Sequence, residues 1–512
     1  MRVSDIPRRS ARSRPESPAL ICGAERLNWR ELEHRVDALA AVLADLSPPE
    51  GRVALVTGSC HRHWETIFAA SRAALVSVPL NYRWTPQELA RTIEEVDPAV
   101  IVLDLAIPAF NGIGLLDLLD KPVVLTFGGR DPRTIDYEEF LVAAAIPPCP
   151  DRPPASHHAI GFTSGTTGRA RGAMLSRRHP LLTSMWLATL FGIGPDDCFL
   201  SCMPIYAYRG GSGGLAPMLV GAASVLCDFD AETVLDLIER EHVTHTILAP
   251  VMVERILANP RAHTTDISSL VSVWVGGAPS KPESIRAFQD LAGCDVGSTY
   301  GSTEATAVVS MRWPALGDRQ ELMSSIGRPG PLNDVRLVGP SGEEPDTGEP
   351  GEIYVRGDTV MKGYWPNDGD GLTNGWYATG DVATRDSEGY LYLVDRRVDV
   401  INSGGLNVYS LEVENVLIGH PGVAECAVVS APDDLLGEEV TAIVVPLYLN
   451  LEVVDLETHC RDALASYKRP RRWIIAAELP RNSLGKIDKR HLRDELWKER
   501  GGTIDGVGSE EP

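Results

Sequence analysis

The feature that most constrains this chain is the stretch Phe162–Leu175, FTSGTTGRARGAML. It opens with two glycines, Gly165 and Gly168, among four hydroxyl residues, Thr163, Ser164, Thr166 and Thr167, and Arg169 and Arg171 follow. Glycine permits positive φ and close approach of backbone to an anion, so successive N–H groups can point into one concavity. Hydroxyls add donors, and guanidinium groups add fixed charge in forked geometry. Apolar runs bound the loop (Ala159–Phe162 and Ala173–Leu175), so two strand ends can hold it. Taken alone, the stretch reads equally as a polar turn and as a phosphate cradle.

The surroundings decide between them. A chain of 512 residues is long enough for about three compact units. Leu27–Leu46 has apolar positions at helical spacing with Asn28 as its cap. Val53–Val56, Val76–Leu80 and Ala99–Leu103 read as buried strands, alternating with helices over His63–Ala74 and Thr85–Val96. That alternation implies α/β layers around parallel sheets. Pro147–Pro154 reads as a linker into the glycine loop. Arg178–Leu190 reads as a helix and Cys198–Ile205 as a strand entering a glycine-rich loop, AYRGGSGG. A helix (Ala231–Glu241), a strand (His245–Ala249), a helix (Met252–Ala258) and a strand (Val271–Val275) follow. Two further strand ends carry glycine, at Gly276-Gly277-Ala278 and at Ser298-Thr299-Tyr300-Gly301-Ser302. Ligands of open α/β sheets bind at the carboxyl ends of strands.

From Ile326 short strands and turns predict a small barrel-like β subdomain. Past Asp395-Arg396-Arg397 a helix (Leu411–Ile418), strands (Glu425–Ser430, Val440–Pro446, Trp473–Ala477) and a helix (Asp455–Ala465) predict a small α+β domain. The expected fold class is therefore α/β: a large N-terminal domain (1–396) of layered α/β subdomains with the β subdomain, then a small mobile C-terminal domain (397–500). An acidic tail (501–512) reads as disordered.

Charge excludes some functions. With 70 acidic against 48 basic residues the formal charge is −22. Such a surface repels nucleic acid and anionic membranes, so an anionic ligand needs a locally basic pocket. Nine scattered cysteines without a CxxC pair fit a reducing cytoplasm. No apolar run reaches the ~18 residues of a membrane span. The Arg- and Ser-rich start resembles a transit peptide in composition, although Asp5 and Pro7 argue against one, and cytoplasmic is the expected location. A GxSxG match at Gly210–Ser212–Gly214 raises a hydrolase reading, but glycine-rich loops match that pattern by chance and context singles out no later His or Asp.

Five stretches in order resemble the adenylate-forming superfamily of acyl-CoA synthetases, peptide-synthetase adenylation domains and luciferases. FTSGTTG (Phe162–Gly168) is similar to its phosphate loop and YGSTE (Tyr300–Glu304) to its adenine and magnesium motif. YATGD (Tyr377–Asp381) is similar to its ribose motif, and Asp395–Glu414 to its hinge and thiol-tunnel segment. NSLGKIDK (Asn482–Lys489) resembles its catalytic-lysine loop. No Walker A pattern is present.

The resemblance implies activation of a carboxylic acid by ATP to acyl-AMP, then thioester formation with CoA. The acid is already an anion, so the task is positioning and charge stabilisation. By resemblance Lys486, Thr303 and Glu304 are the catalytic residues. Lys486 would bridge carboxylate and α-phosphate, and Thr303 would bond the α-phosphate. Thr163, Ser164, Gly165, Thr166, Thr167, Gly168 and Arg171 would grip the outer phosphates. Gly276, Gly277, Ala278, Ser298, Thr299, Tyr300, Gly301 and Ser302 would surround the adenine, and Asp381 with Arg396 the ribose. Glu304 and Thr167 would hold Mg²⁺. Gly404 and Gly405 would line the thiol tunnel after rotation about a hinge at Val398.

Three positions depart from the family pattern. Ala170-Arg171 stands where Pro-Lys is usual, Val398 where the hinge is usually Asp or Lys, and Tyr206-Ala207 where an aromatic-His pair is common. Valine offers no polar contact to favour either pose, so a second expectation is an adenylation-only ligase that hands its acyl-AMP to a carrier protein or partner enzyme. Ala207 and the glycines from Gly210 onward remove bulk, and Trp186, Tyr206, Arg209 and Trp274 are the remaining candidates for an acyl-pocket wall. A bulky or cyclic apolar acid is the expected substrate, and a monomer or homodimer the expected assembly.

Overall fold

A computed structural model describes residues 1–120, 122–142, 149–163, 170–278, 280–306, 308–313, 319–448, 451–481 and 486–498, with side chains 142, 208–213, 310–313 and 320–321 excepted. Ser164, Gly165, Thr166, Thr167, Gly168 and the 501–512 tail therefore lie outside the described residues. By its contacts the chain divides into a larger unit, Met1–Val335 with Tyr354–Ala378, and a smaller one, Arg336–Ile353 with Thr379–Pro512.

The larger unit is built on two sheets. In one, Cys198–Ser201, Ala223–Leu226, His245–Leu248, Ser272–Gly276 and Asp295–Tyr300 run parallel, with antiparallel Val309–Trp313 beside the last. In the other, Arg52–Val56, Val76–Pro79, Val100–Asp104 and Val123–Phe127 run parallel. His157–Thr163 continues that sheet and pairs antiparallel with Arg171–Ser176. The apolar runs read as buried strands are buried on both faces, as parallel sheets require. Helix Trp29–Leu46 starts where its cap predicts. Asn28 Oδ1 accepts the Glu31 N–H at 2.9 Å and Glu31 returns the bond to the Asn28 N–H at 2.9 Å.

One sequence expectation needs correction. The stretch Ala207–Gly214, read as a glycine-rich loop, is the cap and first turns of a helix, Tyr208–Val220, ended by Gly221 at φ 87°. Glycine serves helix packing here, because a Cβ at Gly214 would lie 2.7 Å from Trp64. Ser212 thus sits within a helix instead of on a strand-to-helix elbow, which removes the hydrolase reading. The Arg- and Ser-rich start folds as helix Asp5–Ser13, with Ile6 fully buried.

The smaller unit carries a sheet of Ile401–Ser403, Leu406–Val408, Val423–Asp433, Gly437–Pro446 and Arg472–Ile475. Helices Ser410–Ile418, Val453–Ala463 and Lys489–Lys498 accompany it. Ile401, Val408, Val413, Leu417, Val428 and Leu456 form its core, each without exposure. The short antiparallel strands expected after Ile326 are present. In the larger unit Leu372–Thr373 pairs with Trp376–Tyr377, and in the smaller Asp381–Arg385 pairs with Leu391–Arg396. Among the described residues no helix is long and apolar enough to cross a membrane.

Candidate active site

The glycine loop is tied at both ends. Thr163 pairs with Arg171 in the antiparallel register, and Thr163 Oγ1 donates to the Arg171 carbonyl at 3.4 Å. The Arg171 guanidinium lies 3.5 Å from the Tyr364 ring centroid, and its Nη2 is 3.1 Å from Asp370 Oδ2. A planar guanidinium can stack and pair at once where lysine cannot, so the Arg171 departure comes with its own partners.

The strand ends named by the sequence adjoin one another. Gly276 is in register with Thr299, and a Cβ there would lie 2.7 Å from the Thr299 carbonyl oxygen. Gly277 follows at φ 101°, which L side chains rarely adopt. Strand Asp295–Tyr300 carries Ser298, Thr299 and Tyr300 and leads into Gly301, Ser302, Thr303 and Glu304. Ser302 closes that turn, its backbone N–H donating to the Ala305 carbonyl at 2.8 Å.

Glu304 is 7% exposed, and its Oε1 accepts the Tyr364 hydroxyl at 3.0 Å. Burial, with Glu304 beside it, pushes the Tyr364 pKa up and keeps the phenol a donor. Tyr364, missed by the sequence reading, thus contacts both Arg171 and Glu304. A single buried carboxylate suits Mg²⁺, which keeps most of its ligands as water and phosphate oxygen. Among the described residues no group of three or more His, Cys, Asp or Glu side chains is arranged to hold a metal ion by itself.

The proposed pocket residues separate. Trp274 is fully buried, stacked on Phe191 with centroids 4.4 Å apart, its Nε1–H bonded to Ser272 Oγ at 3.0 Å. It is a core residue, because a central strand hides both faces. Trp186 is partly buried on helix His179–Phe191, with its indole N–H buried and without a hydrogen-bond partner among the described residues. Tyr206 packs edge-on against Tyr82 at 5.1 Å, its hydroxyl also buried and unpartnered among the described residues. Ala207 caps helix Tyr208–Val220, and Gly210 lies in its first turns. The Arg209 side chain lies outside the described set.

The remaining candidates belong to the smaller unit. Asp381 Oδ1 accepts from Arg396 Nε at 3.2 Å, and the two are register partners. Val398 is 50% exposed, and its carbonyl accepts from Arg493 Nη1 at 2.7 Å. Gly404 and Gly405 have φ of 62° and 83°. Positive φ at both centre positions is what a tight two-residue hairpin between Ser403 and Leu406 demands. Lys486 is exposed, and the chain around it is closed by an Arg481–Ile487 bridge and an Asp488 N–H to Pro480 carbonyl bond of 2.8 Å.

This arrangement has close counterparts. The family described as AMP-binding enzyme matches residues 7–365, and its C-terminal domain matches 412–486. The indoleacetate–CoA ligase of Aromatoleum aromaticum is 32% identical over 96% of this chain and 98% of its own length. The feruloyl-CoA synthase of an Amycolatopsis species is 36% identical over 95% and 97%. Among solved structures, the amide bond synthetase McbA from Marinactinospora thermotolerans superposes with a TM-score of 0.87 at 31% identity, over 97% of this chain and all of the other. The chain belongs to the AMP-binding enzyme family and is an adenylate-forming ligase of the acyl-CoA synthetase type.

Proposed function

We propose that this protein activates a bulky or cyclic apolar carboxylic acid with ATP and transfers the acyl group to CoA. The observation that carries the reading is the row of strand ends at Gly276, Thr299, Tyr300 and Glu304, with the tied phosphate-type loop in the same unit. In the first step a carboxylate oxygen of the acid attacks the α-phosphorus of ATP. The new O–P bond forms as the bond to the β-phosphate breaks, giving acyl-AMP and pyrophosphate. The loop backbone with Ser164, Thr166, Thr167 and Gly168 holds the leaving phosphates, and Thr303 bonds the α-phosphate. Tyr300 stacks on adenine between Gly276–Ala278 and Ser298–Ser302, and Asp381 accepts from the ribose with Arg396 beside it. Glu304 and Thr167 would hold Mg²⁺, which would supply charge neutralisation on the phosphates. Lys486 cancels repulsion between the two anions as they meet.

In the second step the CoA thiolate attacks the acyl carbon and AMP leaves. Gly404 and Gly405 line its path once the C-terminal domain has turned about Val398. The Val398 carbonyl, held by Arg493, supports a hinge that works through backbone. Ala207 and the buried N–H of Trp186, unpartnered among the described residues, support a pocket with little bulk and one polar donor. Relatives whose names specify indoleacetate and ferulate support a cyclic acid.

A pyrophosphate-release screen across aryl, fused-ring and short linear acids tests the reading. Cyclic acids are expected to turn over fastest, and Lys486→Ala to lower release roughly a hundredfold or more with ATP binding retained. Turnover of short linear acids alone, or release undiminished by Lys486→Ala, contradicts it.

A further inference from the structure

Three residues past Lys486 the chain turns inward. Helix Lys489–Lys498 starts there, and Asp488 Oδ1 accepts the His491 N–H at 3.0 Å to fix that start. Unlike exposed Lys486, the Lys489 side chain is only 18% exposed and faces Glu414, 13% exposed. Its ammonium lies 2.7 Å from Glu414 Oε1 and 2.8 Å from Ser410 Oγ. The Ser410 hydroxyl donates onward to Asp395 Oδ1 at 3.0 Å. Asp395, 5% exposed, also accepts the backbone N–H groups of Ser410 and Leu411, and Glu414 Oε1 accepts the Val428 N–H at 2.7 Å. One ammonium thereby joins four pieces of chain: the strand end next to Arg396, helix Ser410–Ile418, strand Val423–Asp433 and the helix behind Lys486.

Apolar residues of similar volume would serve stability as well, because burying charge costs as much as pairing returns. Directional bonds do what apolar packing cannot, which is to set one register among these pieces. The tether is short, since Ile487 and Asp488 are already held by the Arg481 bridge and the Pro480 carbonyl. We infer that Lys489, Glu414, Ser410 and Asp395 form a positioning clamp for Lys486, and that Lys489 is a positioning residue of the adenylation step. Burial works to lower the Lys489 pKa, but Glu414, Asp399 and Asp395 outweigh it and keep the ammonium charged.

The inference rests on the reading of Lys486 as the bridge between carboxylate and α-phosphate. The test measures the two half-reactions separately in Lys489→Met, Lys489→Arg and Lys486→Ala. A misplacement of about 1 Å is enough for a hundredfold loss. Lys489→Met is accordingly expected to lower kcat of acid-dependent pyrophosphate formation roughly thirtyfold, with KM for ATP and thioester formation from supplied acyl-AMP and CoA changed by less than about threefold. Lys489→Arg, which keeps the charge, restores most of the rate. If Lys489→Met fails to fold, Glu414→Gln with Lys489→Met carries the same test with one fewer buried carboxylate left without its ammonium. Retained adenylation in Lys486→Ala overturns the reading of Lys486 and the clamp together. Adenylation lost in Lys486→Ala but intact in both Lys489→Met proteins overturns the clamp alone. So does a parallel fall of both half-reactions per folded molecule.

Discussion

Each unit holds a buried network of charges, and the two networks differ in balance. In the larger unit Arg35 bonds Glu65 at 2.6 Å and Glu138 at 2.9 Å, and Arg62 bonds Glu138 at 2.7 Å. The Tyr137 hydroxyl completes Glu65, which has no exposure, with a bond of 2.9 Å. Burial pushes the Glu138 pKa up, but Arg35 and Arg62 outweigh it and the net shift is down. In the smaller unit one lysine answers Glu414, Asp395 and Asp399, and burial wins, raising both the Glu414 and the Asp395 pKa. Two arginines satisfy their carboxylates among helices Trp29–Leu46, His61–Arg72 and Tyr137–Val142. The lysine cluster is short of positive charge and sits a few residues from Lys486. The first arrangement holds helices together; the second aims a residue.

Acid gives the largest expected contrast. Burial depresses His63 and His179 to about 3 and His158 to about 4 in the larger unit. Their contribution to stability is present above the unfolded value near 6.5 and is lost as pH falls toward those folded values. The loss is on the order of 1.4 kcal/mol per pH unit for each titrating histidine. Asp395 and Glu414 have raised values, so their contribution is fully present below the ordinary carboxylate range and is lost as pH rises through the folded values. Hydrogen exchange, corrected for intrinsic rates, is expected to show protection falling from pH 6.5 to pH 4 in helix His61–Arg72 before helix Ser410–Ile418. Simultaneous loss would break the contrast.

Arg35→Met comes next. It leaves Glu65 buried without its arginine and is expected to cost about 3–5 kcal/mol in denaturant unfolding, with adenylation per folded molecule unchanged. A selective loss of adenylation there would erase the distinction between the networks. Smallest is Ser410→Ala, which removes the hydroxyl between Lys489 and Asp395. It is expected to cost about 1 kcal/mol and to slow adenylation only severalfold. No change in either quantity would mean that Asp395 and Lys489 are not coupled through it.

The sequence made the strand ends legible because glycine there answers a geometric need, as at Gly276 against Thr299. The helix starting after Asn28 was legible for the same kind of local reason. Helix Tyr208–Val220 was not, because its glycines answer a neighbour distant in sequence, Trp64. Trp274 was a candidate wall for a pocket freed of bulk at Ala207, and nothing local reveals that its ring stacks on Phe191. Lys489 was hidden in a basic run where a solvated lysine is the ordinary reading. Tyr364 lies 60 residues from the Glu304 it bonds, so no motif joins them.

In the proposed function one chain completes both half-reactions. The most direct measurement incubates the protein with a cyclic acid, ATP, Mg²⁺ and CoA and follows AMP, pyrophosphate and acyl-CoA together. One acyl-CoA and one AMP are expected for each pyrophosphate, all dependent on the acid. Pyrophosphate released with acyl-AMP accumulating and no thioester formed would contradict it.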